Sequence, residues 1–243
     1  MPELKKIKSL FQKTAPTRWW GDNFDVRFYL LYKTREIVNK SVVDVGGGIG
    51  IICSQTSMTN NKINVDSSFE DLIICKKNFS CVINLCASVT NLPFIDNSFD
   101  YVICANMLEI AKTLDIKKNN AKRRGAINSY PTVEKVIEEM RRIMKKDGHL
   151  FLTTPNNAYY QSTKLTYREL KMSIGNHFKN FSLIFFNTFP KLNKNNRKLN
   201  LANTIPKLAS RIIGYDNMLK SLCKNDEGHD RMSVSFYVEA IKE

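Results

Sequence analysis

Between Val43 and Gly50 the chain reads Val-Asp-Val-Gly-Gly-Gly-Ile-Gly, an acid followed by four glycines within five positions at the end of an apolar run. Glycines at a strand-to-helix turn admit positive φ and let a ligand come within van der Waals contact of the backbone. The spacing is D-x-G-x-G-x-G, Asp44 to Gly46 to Gly48 to Gly50. A dinucleotide loop of the form G-x-G-x-x-G begun at Gly46 needs its third glycine at position 51, and that residue is Ile51. A buried Asp44 beside the loop repels a pyrophosphate but can orient an ammonium group, directly or through water. The plainer alternative is that Asp44 satisfies loop amides, the glycines form a tight turn, and Asp66 caps a helix.

These residues need a frame, and the hydrophobic period supplies one. Phe24 to Val38 has the spacing of a surface-packed helix. Strands are predicted at Ser41–Val45, Ile63–Val65, Cys81–Leu85, Tyr101–Ala105, His149–Thr153, Phe181–Phe186 and Ser233–Ile241. Helices are predicted from Ser67 or Ser68 to about Phe79 and from Thr132 to Met144, and Thr166 with Glu169 three residues later reads as a capping box opening another. Strands alternating with helices imply an α/β fold with a mostly parallel, doubly wound sheet, whose ligands bind at the carboxyl ends of the strands.

With the glycine loop and this order of elements, the chain resembles the class I S-adenosylmethionine-dependent methyltransferases, and most closely the subgroup that includes the ubiquinone and menaquinone biosynthesis enzymes. Further motifs carry the resemblance: Leu92-Pro93-Phe94-Ile95-Asp96-Asn97-Ser98-Phe99-Asp100 leading into strand four, Asn106-Met107-Leu108-Glu109 after it, and Lys146-Asp147-Gly148-His149-Leu150 into strand five. They occur in the family's order across about residues 24 to 186, plus the last strand. The resemblance implies a Rossmann-like seven-stranded sheet, mostly parallel with an antiparallel last strand, and S-adenosyl-L-methionine as cofactor. Carried over residue by residue, it places Asp44, Gly46, Gly47, Gly48, Gly50, Asp66, Ser67, Ser88, Val89 and Asn106 around that cofactor. Asp66, 22 residues after Asp44, takes the position of the acid that bridges two ribose hydroxyls. Two departures stand out. Where many relatives carry Asp-Ala before the Leu-Pro-Phe step, this chain has Ser88-Val89, and where they often read Leu-Glu-His it has Leu108-Glu109-Ile110.

Methyl transfer from a sulfonium is an in-line displacement that chiefly requires alignment and exclusion of water. A base is needed where the acceptor must lose a proton, and no residue is assigned to that role. His149 reads as a sheet residue, His177 as a helix end, and His229 as part of a polar turn. Asn156, Tyr159 and Tyr160, after strand five, are the substrate candidates; the tyrosine pair reads equally as a packing anchor. Arg18 or Arg27 can pair with the methionine carboxylate if residues 1–23 fold over the cofactor, or Trp19 and Trp20 cover a sheet edge.

The formal charge of +14 is uneven. Residues 1–100 are nearly neutral, whereas Lys112–Arg124 has six basic side chains against Asp115, and Asn187–Lys224 has eight against Asp216. The chain is expected to be one methyltransferase domain over 1–243, with an N-terminal cap segment at 1–23, a basic insert at 111–131 and a basic amphipathic lid at 187–229. The expected acceptor is a small-molecule or lipid-like substrate. An RNA-directed enzyme using the inserts for phosphate contacts, and a noncatalytic cofactor-binding partner subunit, are the alternatives. Nucleic acid is the less favoured partner because zinc ligands and aromatic RNP motifs are absent.

No apolar run reaches a membrane span and no signal peptide is seen, so a cytoplasmic protein is expected, with peripheral contact to an anionic membrane open to it. The six cysteines, Cys53, Cys75, Cys81, Cys86, Cys104 and Cys223, lack metal-ligand spacing, so no metal site is expected and Cys53, Cys75 and Cys104 read as packing.

Overall fold

The computed structural model describes residues 24–120, 131–156, 165–186 and 235–243. In chain order the elements are α1 (Phe24–Arg35), β1 (Ser41–Val45), α2 (Ile51–Ser54), β2 (Asn61–Asp66), α3 (Phe69–Asn78), β3 (Ile83–Cys86), β4 (Phe99–Ala105), α4 (Leu108–Asn120), α5 (Pro131–Ile143), β5 (Met144–Pro155), α6 (Tyr167–His177), β6 (Asn180–Phe186) and β7 (Ser235–Ile241). The seven strands form one sheet in the order β3-β2-β1-β4-β5-β7-β6. β3, β2, β1, β4 and β5 are mutually parallel, and β7 runs antiparallel between β5 and β6. This is the expected sheet.

Both faces of the sheet are covered, which is why its central strands are nearly continuous in apolar residues. On one face Val26, Leu30 and Leu31 of α1 pack with Val42, Ile103, Phe151 and Tyr237. On the other, Val133, Val136, Ile137 and Met140 of α5 and Leu170 and Ile174 of α6 pack on Val43, Val102, Cys104, Leu150 and Leu152. The i, i+3, i+4, i+7 spacing of the α5 residues puts them on one stripe, and Lys135 and Glu138 stay outside. Local signals set two helix starts. Ser68 Oγ accepts the Asp71 N–H at 3.3 Å, and Thr166 and Glu169 form the reciprocal capping box.

α4 departs from the sequence reading, which ran the basic stretch as an insert from residue 111. The helix continues from Leu108 to Asn120, with Lys112 and Asp115 both buried. Lys112 Nζ donates to Glu169 Oε2 of the α6 capping box at 2.8 Å. Asp115 accepts the Thr132 N–H at 3.0 and 3.1 Å and the Val133 N–H at 3.4 Å, capping α5 from outside it. Lys112 is therefore an internal tie between helices. The rest of that basic stretch, 121–130, lies outside the described residues, as do 1–23, 157–164 and 187–234. β5 begins at Met144, five residues before the predicted start, because the chain resumes pairing at a register shift opposite Phe99 and Tyr101.

No helix joins β3 to β4. The connection at 87–98 is held instead by one guanidinium: Arg142 of α5 donates to the Leu92 and Phe94 carbonyls at 2.9 and 2.7 Å, to Asp96 at 2.8 Å and twice to Glu139. Glu139 in turn accepts the Leu92 N–H at 2.9 Å. The Arg142 side chain keeps 28% exposure while that of Glu139 has 6%, so losing the arginine leaves a mostly buried carboxylate to the Leu92 N–H and to Lys135 Nζ at 3.6 Å. Arg142→Ala is expected to destabilise the protein by about 2–4 kcal/mol in urea unfolding. Lysine, lacking the planar fork, should recover less than half of that loss; full recovery by Arg142→Lys would show that charge alone matters there.

Candidate functional site

The glycine loop crosses the carboxyl end of β1 and bends over β2, since the N–H groups of Gly46 and Gly47 both donate to the Val65 carbonyl, at 2.8 and 3.2 Å. Beyond the bend, Gly48 N–H donates to Asp66 Oδ2 and Ser68 N–H to Asp66 Oδ1, each at 2.8 Å. Asp66 thus ties the loop to the start of α3, and each of its oxygens keeps a lone pair for another donor. Gly48 has φ +53°, and a Cβ there would meet only Asp71 Oδ2, at 3.8 Å, so its outer side is open. A Cβ on Gly47, by contrast, would collide with the side chains beneath it: Asn64 Oδ1, Asp44 Cγ and, at 2.8 Å, Asp44 Oδ2.

Those side chains form a polar rung across three parallel strands. Asp44 is paired in register with Asn64, and Asn64 with Asn84. Asp44 is fully buried; its Oδ2 accepts the Cys53 N–H of α2 at 3.2 Å and its Oδ1 has no hydrogen-bond partner. Asn64, equally buried, donates from Nδ2 to the Gly48 carbonyl at 2.8 Å and to Asn84 Oδ1 at 3.2 Å, and its Oδ1 also lacks a partner. Burial pushes the Asp44 carboxyl up to about 7, against the Cys53 N–H, and the charge of Asp66 adds to the rise.

The other candidates stand at the carboxyl ends of neighbouring strands. Asn106, after β4, is buried with φ +57°; its N–H donates to the Thr153 carbonyl at 2.8 Å and its Oδ1 accepts from Thr153 Oγ1 at 3.2 Å. Met107 beside it lies against Gly46. Ser88 is exposed beyond β3, its hydroxyl 2.8 Å from that of Thr90, with Val89 half-buried next to it. Ser67 is exposed after β2. Asn156 is buried just past β5. The order of the sheet therefore brings all ten cofactor candidates to one edge, on either side of the β1–β4 junction where the strand order reverses.

Tyr159, Tyr160, Arg18, Trp19, Trp20 and His229 lie outside the described residues, as does the side chain of Arg27. The two described histidines serve elsewhere. His149, in β5, stacks on Tyr101 with ring centroids 5.1 Å apart, and His177 pairs with Glu134 at 2.9 Å. Cys53, Cys75 and Cys104 are buried as expected, and burial pushes the Cys104 thiol up to about 12. Among the described residues no cluster of side chains is suited to a metal ion, and no helix is long and apolar enough to cross a membrane.

Sequence reasoning missed Asn64, Asn84 and the Arg142–Glu139 clamp. The one signal for Asn64 was its parity with Asp66 in β2, which places both on the same face of the strand. The site fits S-adenosylmethionine on its own geometry. Asp44 Oδ1 and Asn64 Oδ1 are buried acceptors without a partner, which complement the charge of an ammonium group, while Asp66 offers free lone pairs beside the open side of Gly48.

Residues 43–152 match the family model described as "Methyltransferase domain". An uncharacterized protein of Methanocaldococcus jannaschii is 31% identical over 164 residues, 63% of this chain and 62% of that protein, so the chain spans less than two thirds of that curated relative. Among solved structures, a Thermotoga maritima S-adenosylmethionine-dependent methyltransferase, described as a possible histamine N-methyltransferase, aligns over 98% of this chain and 100% of its own at 15% identity, with TM-score 0.58. An Archaeoglobus fulgidus S-adenosylmethionine-dependent methyltransferase aligns over 96% and 97% at 15% identity, with TM-score 0.55. At such identities the structures establish the shared fold.

Asp44 and Asp66 separate by experiment. Unfolded, Asp44 ionises near 3.8; folded, near 7. Its contribution to stability is therefore complete below about pH 4 and is lost as pH rises through 7. Asp44→Asn should be more stable than the parent at pH 8 by about 2–4 kcal/mol in urea unfolding, the gap narrowing towards pH 4, and should bind S-adenosylmethionine poorly by calorimetry. Asp66→Ala should lose at least tenfold in affinity. Equal stability of parent and Asp44→Asn at all pH values would contradict the buried carboxylate.

Proposed function

We propose that this chain, whose residues 43–152 match the model of a methyltransferase domain, is a class I S-adenosylmethionine-dependent methyltransferase that moves a methyl group to a small-molecule or lipid-like acceptor. The observation that carries the cofactor end of this reading is the pair of partnerless oxygens, Asp44 Oδ1 and Asn64 Oδ1, buried beneath a loop whose outer side is open at Gly48. The buried Asp44 carboxylate orients the ammonium group from below the loop, directly or through water, and the remaining lone pairs of Asp66 receive the ribose hydroxyls. The Ser88 hydroxyl and Val89 N–H face the adenine edge. The cofactor supplies a methyl group on a cationic sulfur, and the chain's own work is to hold acceptor and methyl group in line and keep water out.

The acceptor reading rests on the next strands along. Asn106, Thr153, Thr154, Asn156 and Ser235 are all buried at the carboxyl ends of β4 and β5 and the paired start of β7. A polar set this enclosed suits a small polar group brought in among walls, whereas a phosphate backbone needs an accessible basic track. Thr154 Oγ1 has no partner among the described residues and is available to an acceptor or a bound water. Residues 157–164 and 187–234, with Tyr159, Tyr160 and the basic amphipathic stretch, complete the acceptor side in this proposal, and the latter is the candidate for contact with an anionic membrane surface.

The test is transfer of radiolabelled methyl from S-adenosylmethionine into cell-extract fractions separated as lipid, small molecule, RNA and protein. Label is expected in the small-molecule or lipid fraction, and to fall at least tenfold with Asp66→Ala. Label confined to RNA would move the assignment to an RNA-directed enzyme. Cofactor binding with no labelled fraction would favour a noncatalytic subunit.

A further inference from the structure

The thiol of Cys75, in α3, lies against the last glycine of the loop. A Cβ on Gly50 would collide with Cys75 Sγ and come within 3.3 Å of Asn64 Nδ2, so this sulfur is the floor on which Gly50 rests. Gly50 holds φ +72° there and is the N-cap of α2, whose Cys53 N–H reaches Asp44. Cys53 and Cys75, both fully buried, form a small apolar cluster with Val82, and the partly buried Phe79 and Cys81 pack against it. The turn after α3 returns Cys81 to this cluster. Phe79 N–H donates to the Cys75 carbonyl at 2.8 Å and Val82 N–H to the Phe79 carbonyl at 3.2 Å, so residues 79–82 fold back at the end of the helix. Three of the six cysteines therefore meet in one place, and among the described residues they belong to no set suited to a metal ion.

We propose that Cys75 and Cys81 are a modification site: on exposure to a hydroperoxide they form a disulfide that draws the Cys75 sulfur from beneath Gly50 and lowers affinity for the cofactor. The consequence rests on the S-adenosylmethionine reading, whereas the disulfide does not. Cys81 is the thiol of the three that solvent reaches. With hydrogen peroxide, the O–O bond breaks as one oxygen joins the Cys81 sulfur, giving a sulfenic acid and water. The Cys75 thiolate then attacks that sulfur; the S–S bond forms, the S–O bond breaks, and the departing hydroxide takes the thiol's proton as a second water. Two electrons pass from the two thiols to the peroxide, and no other reactant enters.

Cys75 is better suited than Cys53 to resolve the sulfenic acid. Burial raises both thiols, but at Cys75 hydrogen bonds from the Asn84 and Asn64 amides favour the thiolate. At Cys53 burial and then the Asp44 carboxylate hold the thiol well above its ordinary range, with only the field of Lys62 named against them. Cys86, on β3, is exposed and stands apart, its Sγ 3.8 Å from the Ser67 carbonyl.

The experiment treats the full chain with hydrogen peroxide, alkylates the remaining thiols and maps tryptic peptides by mass spectrometry with and without reduction. Lys76 and Lys77 lie between the two cysteines, so after cleavage the disulfide alone joins their peptides. The treated parent should show that linkage and bind S-adenosylhomocysteine about tenfold more weakly by calorimetry, a usual size for coupling between sites, with recovery in dithiothreitol. Cys81→Ser should bind like the reduced parent before and after peroxide, while Cys86→Ser should stay as sensitive as the parent. Coupling is reciprocal, so saturating S-adenosylhomocysteine should shift the thiol–disulfide equilibrium in a glutathione buffer towards the dithiol by the same factor. A treated parent without the Cys75–Cys81 linkage, a linkage through Cys53 in its place, or an oxidised protein that binds as tightly as the reduced one overturns the proposal. If the reduced parent does not bind S-adenosylhomocysteine at all, the cofactor reading falls, and the peptide map decides the disulfide by itself.

Discussion

A carboxylate out of reach of water, at the centre of a parallel sheet, is the constraint around which this molecule is organised. Asp44 has one N–H donor, from Cys53, and no countercharge among its described contacts. The parallel register sets Asn64 beside it and Asn84 beside Asn64, so the loop above must pass over three polar side chains. A side chain on Gly47 would have no room there, which makes that glycine a consequence of Asp44 as much as of any ligand. The arrangement costs stability at neutral pH, and such a cost persists where function uses it.

Several of the described charged side chains hold segments in place. The 87–98 connection has no helix of its own and is ordered by Arg142 and Glu139. Lys112 and Asp115, from the same turn-and-a-bit of α4, tie that helix to α6 and to the start of α5 respectively. Ser41, Asp100 and Lys145 do the same at the amino edge, where hydrogen bonds from Ser41 and Lys145 outweigh burial and hold the Asp100 carboxyl down to about 2. Lys112 and Asp115 of the first insert, one charge of each sign, are both buried and matched inside the fold, so the net basic excess of that segment is unchanged by them.

Local features were legible in the sequence. The Ser68 cap and the Thr166–Glu169 box each lie within a few residues of what they bond, so their meaning does not depend on the fold, and the glycine loop was legible from its spacing although its partners lie on β2. α4 escaped because Glu109, Lys112, Thr113 and Asp115 break its apolar period, and two of them are polar for reasons that lie on other helices. Arg142 and Glu139 look like an ordinary i, i+3 surface pair until the 87–98 connection is folded against them. Asn64 escaped for a subtler reason. A neutral amide in a strand carries neither charge nor period, and its part appears only when β1 lies alongside β2 in register. The acceptor is the least legible element, since methyl transfer requires alignment more than any particular residue type.

The central claim is that Asp44 is a buried acid whose ionisation is linked to cofactor binding, and calorimetric proton counting tests it most directly. S-adenosylmethionine is titrated into the full chain at pH 6.5 in two buffers of different ionisation enthalpy. Binding should release about half a proton or more, seen as a heat that changes with the buffer. Binding whose heat is the same in both buffers would contradict the account.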